Sequence, residues 1–111
     1  MADKEVVEKI YQAIEAAKAS GKIKKGINEV TKAIEKGNAK LVAYASDVNP
    51  PEIVMHLPLL CKEKGIPCEK VGSREELGAS AGLTVPTVAV AIVTEGDAKN
   101  TVKQIAEKLN Q

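Results

Sequence analysis

Three side chains that can contact nucleotide bases lie together where a helix is predicted to begin. Asn28 and Lys32 are four residues apart and share one helix face, and Glu29 lies three residues before Lys32. Gly26 permits a close approach of the backbone to a partner, and the free amides of a starting helix favour an anion such as phosphate. A carboxylate among lysines weakens a purely electrostatic grip on phosphate but accepts hydrogen bonds from a base edge. The pattern therefore favours the reading of bases.

The same residue types also have an ordinary structural explanation. Asn, Glu and Lys at a helix start serve as capping residues and as partners three or four positions apart. Spacing alone favours this second explanation, so the choice between the two depends on further observations.

The positive charge of the chain is unevenly distributed. The formal net charge is +1, yet residues 20–40 contain six lysines against two glutamates, a local +4 that leaves −3 for the remainder. A confined basic surface fits a compact RNA site, although a solvated lysine-rich helix would carry the same charge. The chain has no Phe or Trp and only two Tyr, so we expect an aliphatic core and no aromatic platform for stacking successive bases.

No arrangement typical of an enzyme is found in the sequence. Cys61 and Cys68 lack CxxC spacing and a histidine nearby in sequence, which predicts free thiols rather than a zinc site or a disulfide. His56 has no neighbouring nucleophile, and Asp47 and Glu52 are too far apart to suggest acid–base chemistry. We therefore predict no catalysis, no metal and no cofactor.

Helical and strand patterns alternate along the chain, which predicts an α/β fold in a single domain of residues 1–111 with helices on both faces of a small sheet. A third helix is predicted to begin with Asn49 as its cap, Pro50 at its first position and Glu52 as capping-box partner, with a kink or an irregular turn at Pro58. The other predicted elements are helices at 3–18, 28–36, 73–78 and 97–109 and strands at 22–25, 41–45, 68–71 and 87–94.

A series of sequence blocks resembles one family. The segment Gly26-x-Asn28-Glu29-Val30-Thr31-Lys32 resembles the RNA-binding signature of the archaeal large-subunit ribosomal protein "L-seven-Ae" family, whose members bind kink-turn RNA. The likeness continues, in the family's order and across nearly the whole chain, through Asp47-Val48-Asn49-Pro50-Pro51-Glu52-Ile53, His56-Leu57-Pro58-Leu59-Leu60-Cys61, Gly65-Ile66-Pro67, Ser73-Arg74 with Leu77-Gly78, and Gly82-Leu83-Thr84-Val85-Pro86.

This resemblance implies a three-layer α-β-α sandwich with a small mixed sheet and a non-catalytic RNA-binding function. It implies that Asn28, Glu29 and Lys32 contact guanines of the sheared G·A pairs beside the kink, while Lys24 and Lys25 hold phosphates. Gly26 opens the same signature.

The resemblance also implies a second group of residues around a nucleotide extruded from the kink. The loop at 82–86 would pack its apolar side chains against that nucleotide, although a plain hydrophobic loop before a strand explains the same residues equally well. The implied positions in this group are Asn49, Ile53, Arg74, Leu83, Thr84 and Val85.

Two positions depart from the family pattern. Ile27 stands where Thr or Ala is common, and we expect its side chain to point inward. Gly72 stands where a basic residue is common, which predicts a slightly weaker phosphate contact.

The resemblance implies a set of partners as well. Related proteins serve in the large ribosomal subunit and nucleate box C/D and H/ACA guide RNPs with a Nop-domain scaffold, a fibrillarin-type methyltransferase and H/ACA proteins, and some join ribonuclease P. We expect a cytoplasmic protein that is monomeric when free and has no membrane association. A ribosomal paralogue of the "thirty-e" group, with one fixed rRNA site, and a thiol-redox module remain alternatives.

Overall fold

The computed structural model describes residues 4–109, and it confirms the predicted alternation of helices and strands. Residue 3, the predicted start of the first helix, lies outside this range. The elements are α1 (Lys4–Ser20), β1 (Lys22–Lys25), α2 (Ile27–Glu35), β2 (Leu41–Tyr44), α3 (Glu52–Lys64), β3 (Cys68–Lys70), α4 (Arg74–Ser80), β4 (Ala89–Thr94) and α5 (Lys99–Leu109).

The four strands form one mixed sheet in the order β1-β4-β2-β3. β4 is antiparallel to both β1 and β2, and β2 is parallel to β3. Hence β1, β2 and β3 all point the same way, and β4 begins where they end. We call this the carboxyl end of the sheet. There the Gly26 N–H donates to the Ala89 carbonyl at 3.0 Å, and the Ala45 N–H donates to the Val88 carbonyl at 2.9 Å.

Helices cover both faces of the sheet, which confirms the predicted α-β-α sandwich. α1 packs against α4 and α5 in one layer, and α2 packs against α3 in the other. The core is aliphatic, as the composition predicted, and the two tyrosines are only half-buried. Its largest fully buried side chains include Ile10, Ile14, Ile34, Leu41, Leu57, Leu77, Ile92 and Ile105.

The predicted start of the third helix is wrong. α3 begins at Glu52, with Pro51 at the N-cap position and no capping side chain, so Asn49 is not the cap and Glu52 is not a capping-box partner. Asn49 precedes a cis peptide bond to Pro50, and the Pro50 carbonyl accepts the Ile53 N–H at 3.3 Å. A cap at Asn49 would face Pro51 two residues later, which has no N–H, and the Ile53 and Val54 N–H groups donate to the Pro50 and Pro51 carbonyls instead.

Other helix boundaries follow local signals. α3 continues through Pro58 as one helix, without the separate irregular turn expected there, and ends at Gly65 in the left-handed conformation (φ 69°). The last helix differs from the prediction, since a 3-10 turn at Gly96–Ala98 precedes Lys99.

α4 has the side-chain cap predicted for it. The Glu76 N–H donates to the Ser73 Oγ at 3.1 Å, and the Ser73 N–H donates to the Glu76 carboxylate at 3.2 Å, which completes a capping box. A seven-residue helix has little stability of its own, so this box fixes the direction in which the chain leaves β3.

We expect Ser73→Ala to lower the free energy of unfolding by about 1 kcal/mol, because it leaves first-turn amides of α4 without an acceptor. Ser73→Asp should retain most of the stability, since its carboxylate accepts the same bond. Urea unfolding of both variants checks this, and equal midpoints for Ser73→Ala and the parent would contradict the assigned cap.

Candidate nucleic-acid interface

The residues predicted from the sequence to contact RNA all lie at or beside the carboxyl end of the sheet. Each belongs to the end of β1, to a connection that leaves β1, β2 or β3, to the loop that enters β4, or to the helix that follows. One group lies at the end of β1 and in α2, and the other is drawn from three connections far apart in sequence. The first group is Lys24, Lys25, Gly26, Asn28, Glu29 and Lys32, and the second is Asn49, Ile53, Arg74, Leu83, Thr84 and Val85.

Hydrogen bonds tie the three connections of the second group together. The Thr87 N–H donates to the Arg74 carbonyl at 3.2 Å, and the Arg74 N–H donates to the Asp47 carboxylate at 2.9 Å. The Ser46 N–H and hydroxyl both donate to the Gly72 carbonyl, at 2.8 and 2.9 Å. The loops therefore form one surface.

Gly26 allows the chain to turn directly from β1 into α2. It has φ 89°, a left-handed value that favours glycine, and it occupies the N-cap position without a capping side chain. The first amides of α2 consequently have no intrahelical acceptor, and their partial positive charge faces the side of the molecule where the loops meet. This end of α2 suits a phosphate or a base acceptor.

The structure tests the ordinary explanation for Asn28, Glu29 and Lys32. All three side chains are exposed, and within residues 4–109 none makes a hydrogen bond or an ion pair with another residue. They do not cap α2, and Glu29 does not pair with Lys32 within 4.0 Å. Neither structural role that would explain these residue types is therefore observed.

The opposite face of α2 is held firmly. Val30, Ala33 and Ile34 are buried, and Ile27 is half-buried against the core, which confirms its expected inward direction. The Thr31 hydroxyl and the His56 Nε2 lie 2.9 Å apart and connect α2 to α3. The lone histidine thus has a structural partner, while the exposed face of α2 keeps a fixed orientation.

In the second group, Asn49 and Ile53 are exposed, Ile53 to 38%. Since Asn49 does not cap α3, its amide has no hydrogen-bond partner in the described part of the chain. The Arg74 Nε lies 3.6 Å from the Asp47 Oδ1, an ion pair that the sequence did not predict. Both side chains of this pair are about half exposed, so the ion pair is weak enough to exchange for a phosphate.

The loop at 82–86 presents one strongly exposed apolar side chain. Val85 is 60% exposed, Thr84 is also exposed, and Leu83 packs against the core and contributes less to the surface than expected. Gly78 permits this arrangement, since a Cβ there would collide with the Val85 carbonyl oxygen. The Leu83 N–H donates to the Gly78 carbonyl at 2.9 Å.

Gly72 has a packing role that the sequence did not reveal. Its N–H donates to the Tyr11 hydroxyl at 3.0 Å, and a Cβ at this position would lie 2.8 Å from that oxygen and 2.6 Å from the Glu76 Oε1. Burial raises the pKa of Tyr11, although the bond from Gly72 acts in the opposite direction. The missing side chain thus gives α1 close access to the turn after β3.

Sequence reasoning overlooked a groove beside α2. It has a volume of about 510 Å³ and contains three of the predicted residues, Lys24, Glu29 and Lys32. Lys36 and Lys40 line its continuation away from the carboxyl end of the sheet. The local excess of lysine was the signal for it, but only the fold shows that these lysines line one groove.

The two cysteines are free, as predicted. A hydrogen bond with the Cys61 thiol, together with burial, raises the pKa of Cys68 well above its usual range, and the same bond lowers the pKa of Cys61. Cys61 is only 1% exposed, so neither thiol is an accessible thiolate of the kind that redox modules use. Within residues 4–109 there is no cluster of three or more metal-ligating side chains, and no helix is long and apolar enough to cross a membrane.

Known proteins share both this sequence pattern and this fold. The model of the "Ribosomal protein L7Ae/L30e/S12e/Gadd45 family" matches residues 8–102. The structure is similar to that of the Giardia lamblia 15.5kD RNA binding protein, with a TM-score of 0.93 and 34% sequence identity over 99% of this chain and 92% of that chain. Both matches span every connection at the carboxyl end of the sheet.

We expect Gly78→Ala to destabilise the protein by about 1–3 kcal/mol, because the added methyl group forces the loop at 82–86 away from α4. Ala79→Ser, at the exposed neighbouring position, is the matched control and should change stability little. Thermal unfolding measures both, and a Gly78→Ala variant as stable as the control would show that the loop adapts without cost.

Proposed function

Because the chain belongs to the ribosomal protein L7Ae/L30e/S12e/Gadd45 family, as its sequence predicted, we propose that it is a non-catalytic RNA-binding component of ribonucleoproteins that recognises kink-turn or kink-loop RNA. The observation that carries this proposal is that Asn28, Glu29 and Lys32, at the start of α2, have exposed side chains without a hydrogen-bond or ion-pair partner among residues 4–109.

Each member of this set matches a group on a guanine edge. The Glu29 carboxylate only accepts hydrogen bonds and so complements the guanine amino group, whereas the Lys32 ammonium only donates and complements the O6 and N7 acceptors. Asn28 both donates and accepts. Lys24 and Lys25 lie at the end of β1 beside this set, where they are suited to hold phosphates and fix the register of the helix on the RNA.

The second group suits a nucleotide turned out of the stack. Val85 and Ile53 offer apolar surface, and Asn49 offers an amide that has no hydrogen-bond partner in the described part of the chain. Arg74 exchanges Asp47 for phosphate. A nucleotide placed there is held away from its neighbours. Binding would then stabilise the bent RNA by the difference in affinity between the bent and extended forms.

We also propose the ribonucleoprotein assemblies to which the protein belongs. We place the protein in the large ribosomal subunit and in box C/D and H/ACA guide RNPs, with a Nop-domain scaffold, a fibrillarin-type methyltransferase and H/ACA proteins as partners, and extend the proposal to ribonuclease P. A paralogue with one fixed rRNA site is the second candidate, since the matching family also includes the L30e group. Sequencing of RNAs that co-purify with the protein distinguishes them, because only a general kink-turn binder retrieves several unrelated kink-turns.

Replacement of Glu29 by Gln separates base reading from simple charge. Gln substitutes a donor for one acceptor oxygen, so we expect a loss of about 1–3 kcal/mol on a kink-turn and little change on a plain duplex. Gel-shift titrations with both RNAs at one salt concentration measure this.

Glu35→Gln is the matched control, because Glu35 is an exposed glutamate farther along the same helix. A glutamate that only repels phosphate would give equal or tighter binding on removal of its charge. If Glu29→Gln binds the kink-turn as well as the parent and Glu35→Gln do, the proposed base contact is wrong.

A charge placed at Val85 tests the second group. If an extruded nucleotide packs there, Val85→Asp should weaken kink-turn binding at least about tenfold, since the carboxylate meets the RNA backbone. Leu59→Asp serves as control, because Leu59 is 69% exposed on α3 about two helical turns from its start. Circular dichroism should show both variants folded, and equal affinities would place the loop away from RNA.

A further inference from the structure

The groove beside α2 extends beyond the residues that would read bases. The groove is lined by the exposed lysines of α2 and of the loop after it, by Lys24 of β1, and by Val93 and Thr94 of β4. Glu29 and Lys32 mark the end near the carboxyl end of the sheet, and Asn38 and Lys40 mark the far end. A partner that leaves the recognition residues along α2 therefore enters this groove.

The groove is strongly positive. Lys24, Lys32, Lys36 and Lys40 line it together with a single carboxylate, Glu29. Among residues 4–109 none of these lysines lies within 4.0 Å of a carboxylate, whereas the half-buried Lys9 of α1 and Lys108 of α5 both pair with Glu5. Four cations and one carboxylate along one groove leave an excess of positive charge, which attracts an extended polyanion.

The dimensions and the lining suit a nucleic-acid backbone rather than bases. The seven residue steps from Glu29 to Lys36 rise about 10 Å, and one strand of a DNA duplex, taken as a guide, advances about 3.4 Å per nucleotide, so the groove is about three nucleotides long. Aliphatic side chains, Ala33 and Val93, and no aromatic ring, face the lysines. The groove therefore has no aromatic ring on which bases could stack, whereas its lysines can contact phosphates.

We propose that this groove binds the phosphates of one RNA stem where that stem leaves the kink, so that the protein contacts the stem as well as the kink. The inference rests on the proposed kink-turn recognition and adds two residues, Lys36 and Lys40, that lie outside the recognition signature. Their contact is with the backbone and is independent of the sequence of the stem.

The double variant Lys36→Ala/Lys40→Ala tests the assignment. Removal of two phosphate contacts should reduce the slope of log affinity against log salt by about 1.5 and weaken binding roughly tenfold at low salt. Lys103→Ala is the control, since Lys103 is exposed on α5 in the other helical layer. Three RNAs are compared: one kink-turn with both stems long and two with either stem shortened to the pairs beside the kink.

The difference in RNA affinity between the parent and the double variant should disappear when one of the two stems is shortened and should persist when the other is shortened. An equal loss on all three RNAs would overturn the stem assignment, because the lysines would then act on the kink itself. Binding unchanged on every RNA would also overturn it. Absence of kink-turn binding by the parent would instead contradict the proposed function, so the two failures are distinct.

A free polyphosphate anion could bind the same lysines in place of an RNA backbone. Tripolyphosphate is added to the parent and to the double variant, and its effect on thermal unfolding and on RNA binding is measured. A site for the RNA backbone is supported if tripolyphosphate raises the unfolding temperature of the parent but not of the double variant, and if it competes only with the RNA in which both stems are long. Stabilisation without any competition would assign the groove to a free polyphosphate and overturn the proposal.

Discussion

The antiparallel insertion of β4 between β1 and β2 is the constraint on which the rest of the structure depends. It requires β1 and β2 to end at the same side of the sheet, and the parallel pairing of β3 with β2 adds a third chain end there. Four connections then converge without long loops. The bond from the Gly26 N–H to the Ala89 carbonyl is the last rung of this pairing and sets the starting point of α2.

The core allows the two faces of α2 to have separate tasks. Buried aliphatic residues and the contact between Thr31 and His56 hold its inner face, so its orientation does not depend on any residue that faces solvent. The outer face is free of internal hydrogen bonds and ion pairs within the described residues. Side chains that are positioned by the backbone yet uncommitted are suited to recognition, because binding has no internal partner to displace.

Close backbone packing positions the second half of the surface. Gly78 admits the carbonyl of Val85, and Gly72 admits the hydroxyl of Tyr11, so the loop before β4 and the turn after β3 lie against the helices without intervening side chains. The exposed pair of Asp47 and Arg74 joins the same region but adds little stability. The close contacts at Gly72 and Gly78 preform this surface. The weak ion pair with Asp47 leaves the Arg74 guanidinium able to bind a ligand instead.

The sequence by itself determined the local features of this protein. The glycine-led start of α2, the Ser73 cap and the glycine that ends α3 were predicted correctly, because each depends on residues within one or two turns, and the family was recognised from ordered blocks of residues. The start of α3 was predicted wrongly, because a cap at Asn49 was assumed, whereas the first amides of the helix donate to the carbonyls of Pro50 and Pro51. Tertiary structure alone decided that Val85 and Arg74 share a surface with Asn28, that Arg74 pairs with Asp47, and that Lys36 and Lys40 line one groove. Those relations follow from the strand order, and strand order results from pairing between distant segments that no local pattern specifies.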